Sequence, residues 1–282
     1  MSFLIFIYRR YRIIRIESCI KYFFIQRVGS AVLIRMLYDK RNFIGMMYSL
    51  VLRIKIGAGP FYFWFPSMCS GIDWSSCFML MFFQKVLPLC LIYILIHWII
   101  WIVVLVRLIM GVMGSFNQRG IKELLAYSSV HHLGWILIIR IKGNLRWVLY
   151  LLIYGFVLLR VVLLIVKEEV VDFSMMYKCK NKVWFIVRML RMAGIPPLFG
   201  FFLKWMALIN VIDLGLLWVI MLVIASVIIL YVYVRIIYDV IIGGRFQESW
   251  GRIEIMKYMY IGDVIRMIGF LGGLFVIWYV II

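Results

Sequence analysis

Acidic residues are scarce in this sequence. Twelve Asp and Glu stand against 31 Lys and Arg over 282 residues, a formal net charge of +19. Charged residues make up 15% of the chain and hydrophobic residues 66%, with a mean hydropathy of +1.06. A soluble domain carries about 25% charge, so that class is excluded. Cysteine is thin as well. Cys19, Cys69, Cys77, Cys90 and Cys179 fall in no CxxC pair and beside no histidine. They read as apolar filler rather than as metal or disulfide sites. No GxGxxG marks a nucleotide-binding turn. Arg9, Arg10, Arg12 and Arg15 follow the first apolar residues instead of preceding them, unlike a cleavable signal. Proline is down to five, so each one is a local event.

What remains is apolar sequence in long runs. A spanning helix needs about 20 such residues. Candidate spans cover 19–38, 43–56, 74–95, 97–116, 121–140, 144–166, 183–210, 213–238 and 258–282, after a short apolar start at 1–8. This is an all-α fold class: a polytopic membrane helix bundle of about nine spans. Charged loops fall at 39–42, 117–120, 167–182 and 243–257.

Two runs are interrupted. Residues 193–205 read AGIPPLFGFFLKW: Pro196 and Pro197 remove backbone donors, Gly194 eases the break, and Lys204 follows about two turns on. Residues 55–66 read KIGAGPFYFWFP, with Gly57, Gly59 and Pro60 just after Lys55. A broken helix at membrane depth is tolerated only inside protein or around a wet cavity. An ammonium at that depth marks a functional site by default. Interrupted helices in corresponding halves point to an inverted-repeat transporter. The plainer alternative is two proline-kinked helices whose lysines snorkel to an interface.

Two more segments carry polar groups. Gln84 and Lys85 lie mid-span, with Pro88 loosening the backbone. The span 121–140 holds Lys122, Glu123, Ser128, Ser129, His131 and His132 at helical spacings, which predicts one polar stripe turned away from lipid.

Three stretches in order, 55–66, 117–135 (NQRGIKELLAYSSVHHLGW) and 193–205, with Gln84-Lys85 between the first two, resemble the antiporter-like membrane subunits of respiratory NADH:ubiquinone oxidoreductase (complex I). The similarity covers roughly 17–240. It implies two inverted repeats: 1–96, N-terminally incomplete and broken near 57–60, and 97–240, broken near 194–197. A polar loop and final helix follow at 241–282. It implies proton translocation coupled to NADH oxidation and ubiquinone reduction, in the mitochondrial inner membrane. Partners would be the other membrane subunits and the lipid bilayer, with no nucleic acid. Lys55, Lys85 and Lys204 would form the proton path, supported by Gln84, Lys122, Glu123 and His132. NADH, FMN, iron–sulfur clusters and ubiquinone would belong to other subunits, with no cofactor and no metal on this chain.

The logic of a lysine row stands on general chemistry. An ammonium taken out of water gives up its proton more readily, and neighbouring like charges couple the steps. The sequence departs from the family pattern in three places. The glutamate that pairs with the lysine at the first break falls upstream of Met1, with Glu17 as a substitute. Tyr62 stands where histidine is common. Glu123 stands where a basic residue is common, and a carboxylate suits the start of a helix.

The arginines pose a separate question. Nineteen of them, several in spans (Arg107, Arg140, Arg160, Arg188, Arg191 and Arg235), account for the whole charge excess. Each costs about 2.5–3.5 kcal/mol at mid-membrane on insertion scales. One reading is a mitochondrial frame decoded with the wrong table, since some animal mitochondria translate AGA and AGG as serine. Peptide mass spectrometry across 188–204 then returns serine at 188 and 191; arginine at both sinks that reading. Otherwise the arginines are functional charges or a nucleic-acid-like basicity, and the latter is disfavoured because they are spread through apolar helices rather than gathered on one face.

Two further functions stay open on sequence grounds. A stand-alone cation/proton antiporter shares the architecture, but the spans lack carboxylates for a cation. A non-transporting membrane scaffold gains nothing from buried lysines.

Overall fold

The structure, a computed structural model, describes residues 13–38, 51–52, 54–57, 62, 64–94, 99–116, 118, 120–141, 145–168, 182–196 and 198–245. The expected short start, the final span at 258–282, most of the charged loops, and Gly59, Pro60 and Pro197 lie outside the described residues.

Ten α-helices follow one another, with no strand among the described residues. They are α1 (Ile13–Tyr38), α2 (Trp64–Gly71), α3 (Trp74–Met81), α4 (Phe83–Ile94), α5 (Ile99–Ser115), α6 (Ile121–Ile141), α7 (Arg146–Lys167), α8 (Lys182–Ala193), α9 (Phe199–Val211) and α10 (Leu216–Arg245). A short 3₁₀ turn, Ile212–Leu214, links the last two. Among the described residues, four stretches are long and apolar enough to cross a bilayer: Trp74–Leu91, Ile121–Ile141, Arg146–Lys167 and Leu216–Tyr238.

Several expected boundaries move. The first span starts at Ile13 rather than at 19. The stretch after the first break does not stay open: α2 forms at Trp64, and Pro66 is accepted because the first turn needs no donor there. The run 74–95 divides at Phe82, where ψ is −70° and φ is −118°. Pro88 cannot bond the Gln84 carbonyl and its ring crowds it, yet the helix from Phe83 runs on through it to Ile94.

The chain forms two compact units, Met1–Leu151 and Leu152–Ile282. In the first, α6 is the hub, buried along nearly its whole length and packed on α2, α3 and α5. Glycine permits its close approach to α5. A Cβ on Gly111 would stand 2.9 Å from the His131 backbone nitrogen, and one on Gly134 3.1 Å from Leu108. This is the small-residue contact that lets helices associate without help from water. The fully buried Arg107 lies on the same α5 face, 3.8 Å from the Gly134 Cβ position.

In the second unit, α8 turns Phe185, Met189, Met192 and Ala193 inward, a helical repeat that packs on α9 and α10. Helix α10 buries Leu222, Ala225, Ile229, Val232 and Ile236. Its other face leaves Leu216, Leu217, Ile220, Val227 and Tyr238 exposed, as a helix against lipid does.

Candidate functional site

The first break brings a lysine to a glycine. Gly57 has a φ of 68°, the left-handed conformation that ends the helical turns at 51–52 and 54–56. Lys55, half-buried, runs its stem across Gly29 of α1, where an added Cβ would stand 3.1 Å from both Cγ and Cε. Gln26 of α1 donates to the Lys55 carbonyl at 3.2 Å. Among the described residues no carboxylate forms an ion pair with Lys55. Glu17 lies on α1 and pairs with Lys21 at 2.6 Å, both side chains largely in the open.

The same break sets up the second lysine. The Gly57 Cβ position lies 3.1 Å from Phe65 Cβ, so a side chain there would press on α2 as well as strain the left-handed turn. Phe65 then offers its ring face to Lys85, whose Nζ sits 4.8 Å from the ring centroid. Lys85 is only 2% exposed. Its Nζ donates to Ser129 Oγ of α6 at 2.9 Å, and Ser129 in turn donates to the Ala126 carbonyl at 2.6 Å. A buried ammonium needs such partners, and both here are neutral.

Lys122, at the start of α6, donates to the Ile72 carbonyl at 2.5 Å and lies 5.3 Å from the Trp74 ring centroid. Glu123 sits in that first turn, half-buried, where a carboxylate favours the helix dipole. Gln84 is half-buried beside Lys85. Tyr62 is buried, with its ring 6.4 Å from that of Tyr127.

Ser128, Ser129, His131 and His132 of α6 are buried, turned away from lipid as expected, but they meet different partners. Adjacent residues on a helix point about 100° apart. Ser129 meets Lys85 of α4, and His132 Nδ1 lies 2.9 Å from the Tyr150 hydroxyl of α7. His131 turns along α6 itself, where Trp135 Nε1 donates to its Nε2 at 3.0 Å. Sequence reasoning missed Ser129 and Tyr150 as partners, because a contact across 44 or 18 residues leaves no local pattern.

In the second unit Lys204 closes on the break that precedes it. Gly194 has a φ of 79°, and its N–H bonds the Leu190 carbonyl at 3.0 Å as α8 ends. Leu198 opens α9 in extended conformation. Side chains on a helix lean toward its N-terminus, so Lys204 reaches back rather than outward. Its Nζ donates to the Ala193 carbonyl at 2.6 Å, with its stem laid over Gly194. That carbonyl is one of the four a helix end leaves unbonded, and a cation there suits the dipole. Pro196 is exposed on the connecting turn.

Two buried lysines, one per unit, thus sit at neutral acceptors: a hydroxyl and a freed helix-end carbonyl. Among the described residues neither makes an ion pair. No group of three or more His, Cys, Asp or Glu gathers for a metal among those residues.

Known proteins resemble this chain in sequence and in fold. The family model described as NADH:quinone oxidoreductase/Mrp antiporter, TM, matches residues 35–229. NADH-ubiquinone oxidoreductase chain 2 of Locusta migratoria is 30% identical over 275 residues, covering 91% of this chain and 80% of that one. The Anopheles gambiae protein of the same name is 30% identical over 254 residues, covering 83% and 74%. Among solved structures, a chain of the membrane-bound sulfane sulfur reductase, an archaeal respiratory membrane complex, aligns with a TM-score of 0.76 at 15% identity, covering 99% of this chain and 66% of that one. A chain of respiratory complex I from Thermus thermophilus gives 0.67 at 20%, covering 88% and 69%.

Proposed function

We propose a function for a chain that belongs to the NADH:quinone oxidoreductase/Mrp antiporter membrane family. It is a core membrane subunit of respiratory complex I that contributes to proton translocation. As such it is part of an enzyme complex, NADH:ubiquinone reductase, and works beside other membrane subunits. In our reading Lys55, Lys85 and Lys204 carry the proton, within repeats at 1–96 and 97–240. The chain lies in the mitochondrial inner membrane, and the flavin, iron–sulfur clusters, NADH and ubiquinone belong to other subunits.

One observation carries the reading. Lys85 is 2% exposed and bonded to a hydroxyl, with no acid to hold its charge in place among the described residues. A structural lysine at that depth would be balanced by a carboxylate or replaced by an apolar residue. A lysine that gives and takes a proton needs a partner that tolerates both of its states, and a hydroxyl does so.

Native electrophoresis of mild-detergent membrane extracts, stained for NADH oxidation and probed for this chain, tests the assignment. The chain is expected in a large NADH-oxidising band. Migration alone, or as a small oligomer, would overturn the assignment and favour a stand-alone antiporter.

A further inference from the structure

We propose that Tyr150 is the positioning residue that lets His132 pass a proton, while Trp135 holds the adjacent His131 out of that traffic. The proposal rests on the reading that Lys85 belongs to a proton path.

The two histidines are neighbours in sequence and both are buried, His131 at 0% and His132 at 4% exposure. Their ring centroids are 5.8 Å apart. Sequence alone gives no reason to separate them, yet their partners differ in kind.

His131 Nε2 faces the Trp135 indole N–H at 3.0 Å. An indole nitrogen only donates. The Nε2 lone pair is therefore engaged and the ring proton sits on Nδ1. A proton added at Nε2 would set two N–H groups against each other. The stem of the side chain is held, because Gly111 of α5 packs on the His131 backbone and Cβ. His131 is held neutral, in one tautomer.

His132 Nδ1 faces the Tyr150 hydroxyl at 2.9 Å. A hydroxyl both donates and accepts. Neutral His132 keeps its proton on Nδ1 and donates it to the Tyr150 oxygen. The imidazolium keeps that bond and carries its second proton on Nε2. In the cycle a proton arrives at Nε2 while Nδ1–H stays on Tyr150, and the same nitrogen releases it; Tyr150 keeps its own proton throughout. Tyr150 is 1% exposed, so no bulk water substitutes for it. The location suits the role: His132 stands three residues beyond Ser129, the acceptor of Lys85, which is one turn along α6.

The test uses the assembled complex in sealed vesicles, with NADH-driven proton uptake measured beside NADH oxidation. Tyr150→Phe keeps the ring and removes the hydroxyl, and is expected to slow proton translocation about five- to tenfold. His132→Gln should be at least as slow, and the double variant no slower than His132→Gln alone, since one relay is lost once. His131→Gln keeps an acceptor for Trp135 and should translocate normally. Full translocation by Tyr150→Phe, additive losses in the double variant, or a His131→Gln defect equal to that of His132→Gln would overturn the proposal. If Tyr150→Phe does not assemble, infrared difference spectra of the complex decide: a histidine protonation band during turnover that His132→Gln removes and His131→Gln keeps supports it, and a band that His131→Gln removes overturns it. Lys85→Met separates the two levels. Normal translocation in Lys85→Met removes the underlying path itself; loss there with an intact Tyr150→Phe removes only the role of Tyr150.

Discussion

Lys85→Met abolishes proton translocation through this subunit while the complex still assembles. The side chain is buried and its partners, Ser129 and the Phe65 ring, are neutral. Methionine fills nearly the same volume, and exchanging a buried charge for an apolar isostere is often neutral or stabilising by about 1–4 kcal/mol. Folding therefore does not suffer, whereas the group we propose takes and releases the proton is gone. The expected loss is about 10²-fold or more in translocation, the usual weight of a positioned acid or base. Lys85→Arg should not restore it, because a guanidinium stays protonated. Proton uptake by vesicles, normalised to the NADH-oxidising band on a native gel, gives the answer. Lys204→Met belongs in the same experiment. Its loss breaks the bond to the Ala193 carbonyl. Unchanged pumping in both variants would leave only a scaffold.

Gly200→Ala has the opposite profile, a failure of folding rather than of chemistry. A Cβ there would lie 1.7 Å from the Arg191 carbonyl oxygen and 3.1 Å from Gly194 Cα. Both obstacles are backbone, so no side chain can swing aside. Helix α9 would have to move off the end of α8, taking Lys204 from Ala193. The cost is about 3 kcal/mol or more, at the severe end of point substitutions. The expected result is little or no assembled chain. Gly120→Ala is the control: the nearest atom to its Cβ position is 3.6 Å away, on the Glu123 side chain, an ordinary contact. If Gly200→Ala accumulates as well as Gly120→Ala, the tight joint between α8 and α9 is wrong.

The fold was legible where the signal is local. The apolar runs gave α6 and α7 within a few residues, and Gly194 and Pro196 gave the second break, because backbone freedom and missing donors act on their own residue. Helix α2 was hidden, since Gly57 to Pro66 carries every mark of an open turn, yet packing of Phe65 against Gly57 restarts a helix inside it. The site was half legible. Charged residues in apolar sequence singled out Lys85 and Lys204, but not what they touch. Ser129 and Tyr150 are partners by tertiary packing alone. Ala193 was within reach of sequence reasoning: side chains lean back along a helix, so a lysine soon after a break naturally returns to it.

The bond from Lys204 to the end of α8 also ties two equilibria together. On the proton path we propose, the same ammonium is both a proton store and the clamp on a helix end. Anything that displaces the Ala193 carbonyl alters how tightly Lys204 holds its proton, and loading or unloading that proton alters, by an equal free energy, how firmly the helix end stays put. The joint is thus a two-way transducer between position and charge. A push delivered along α8 from elsewhere in a large assembly arrives at Lys204 as a change in proton occupancy.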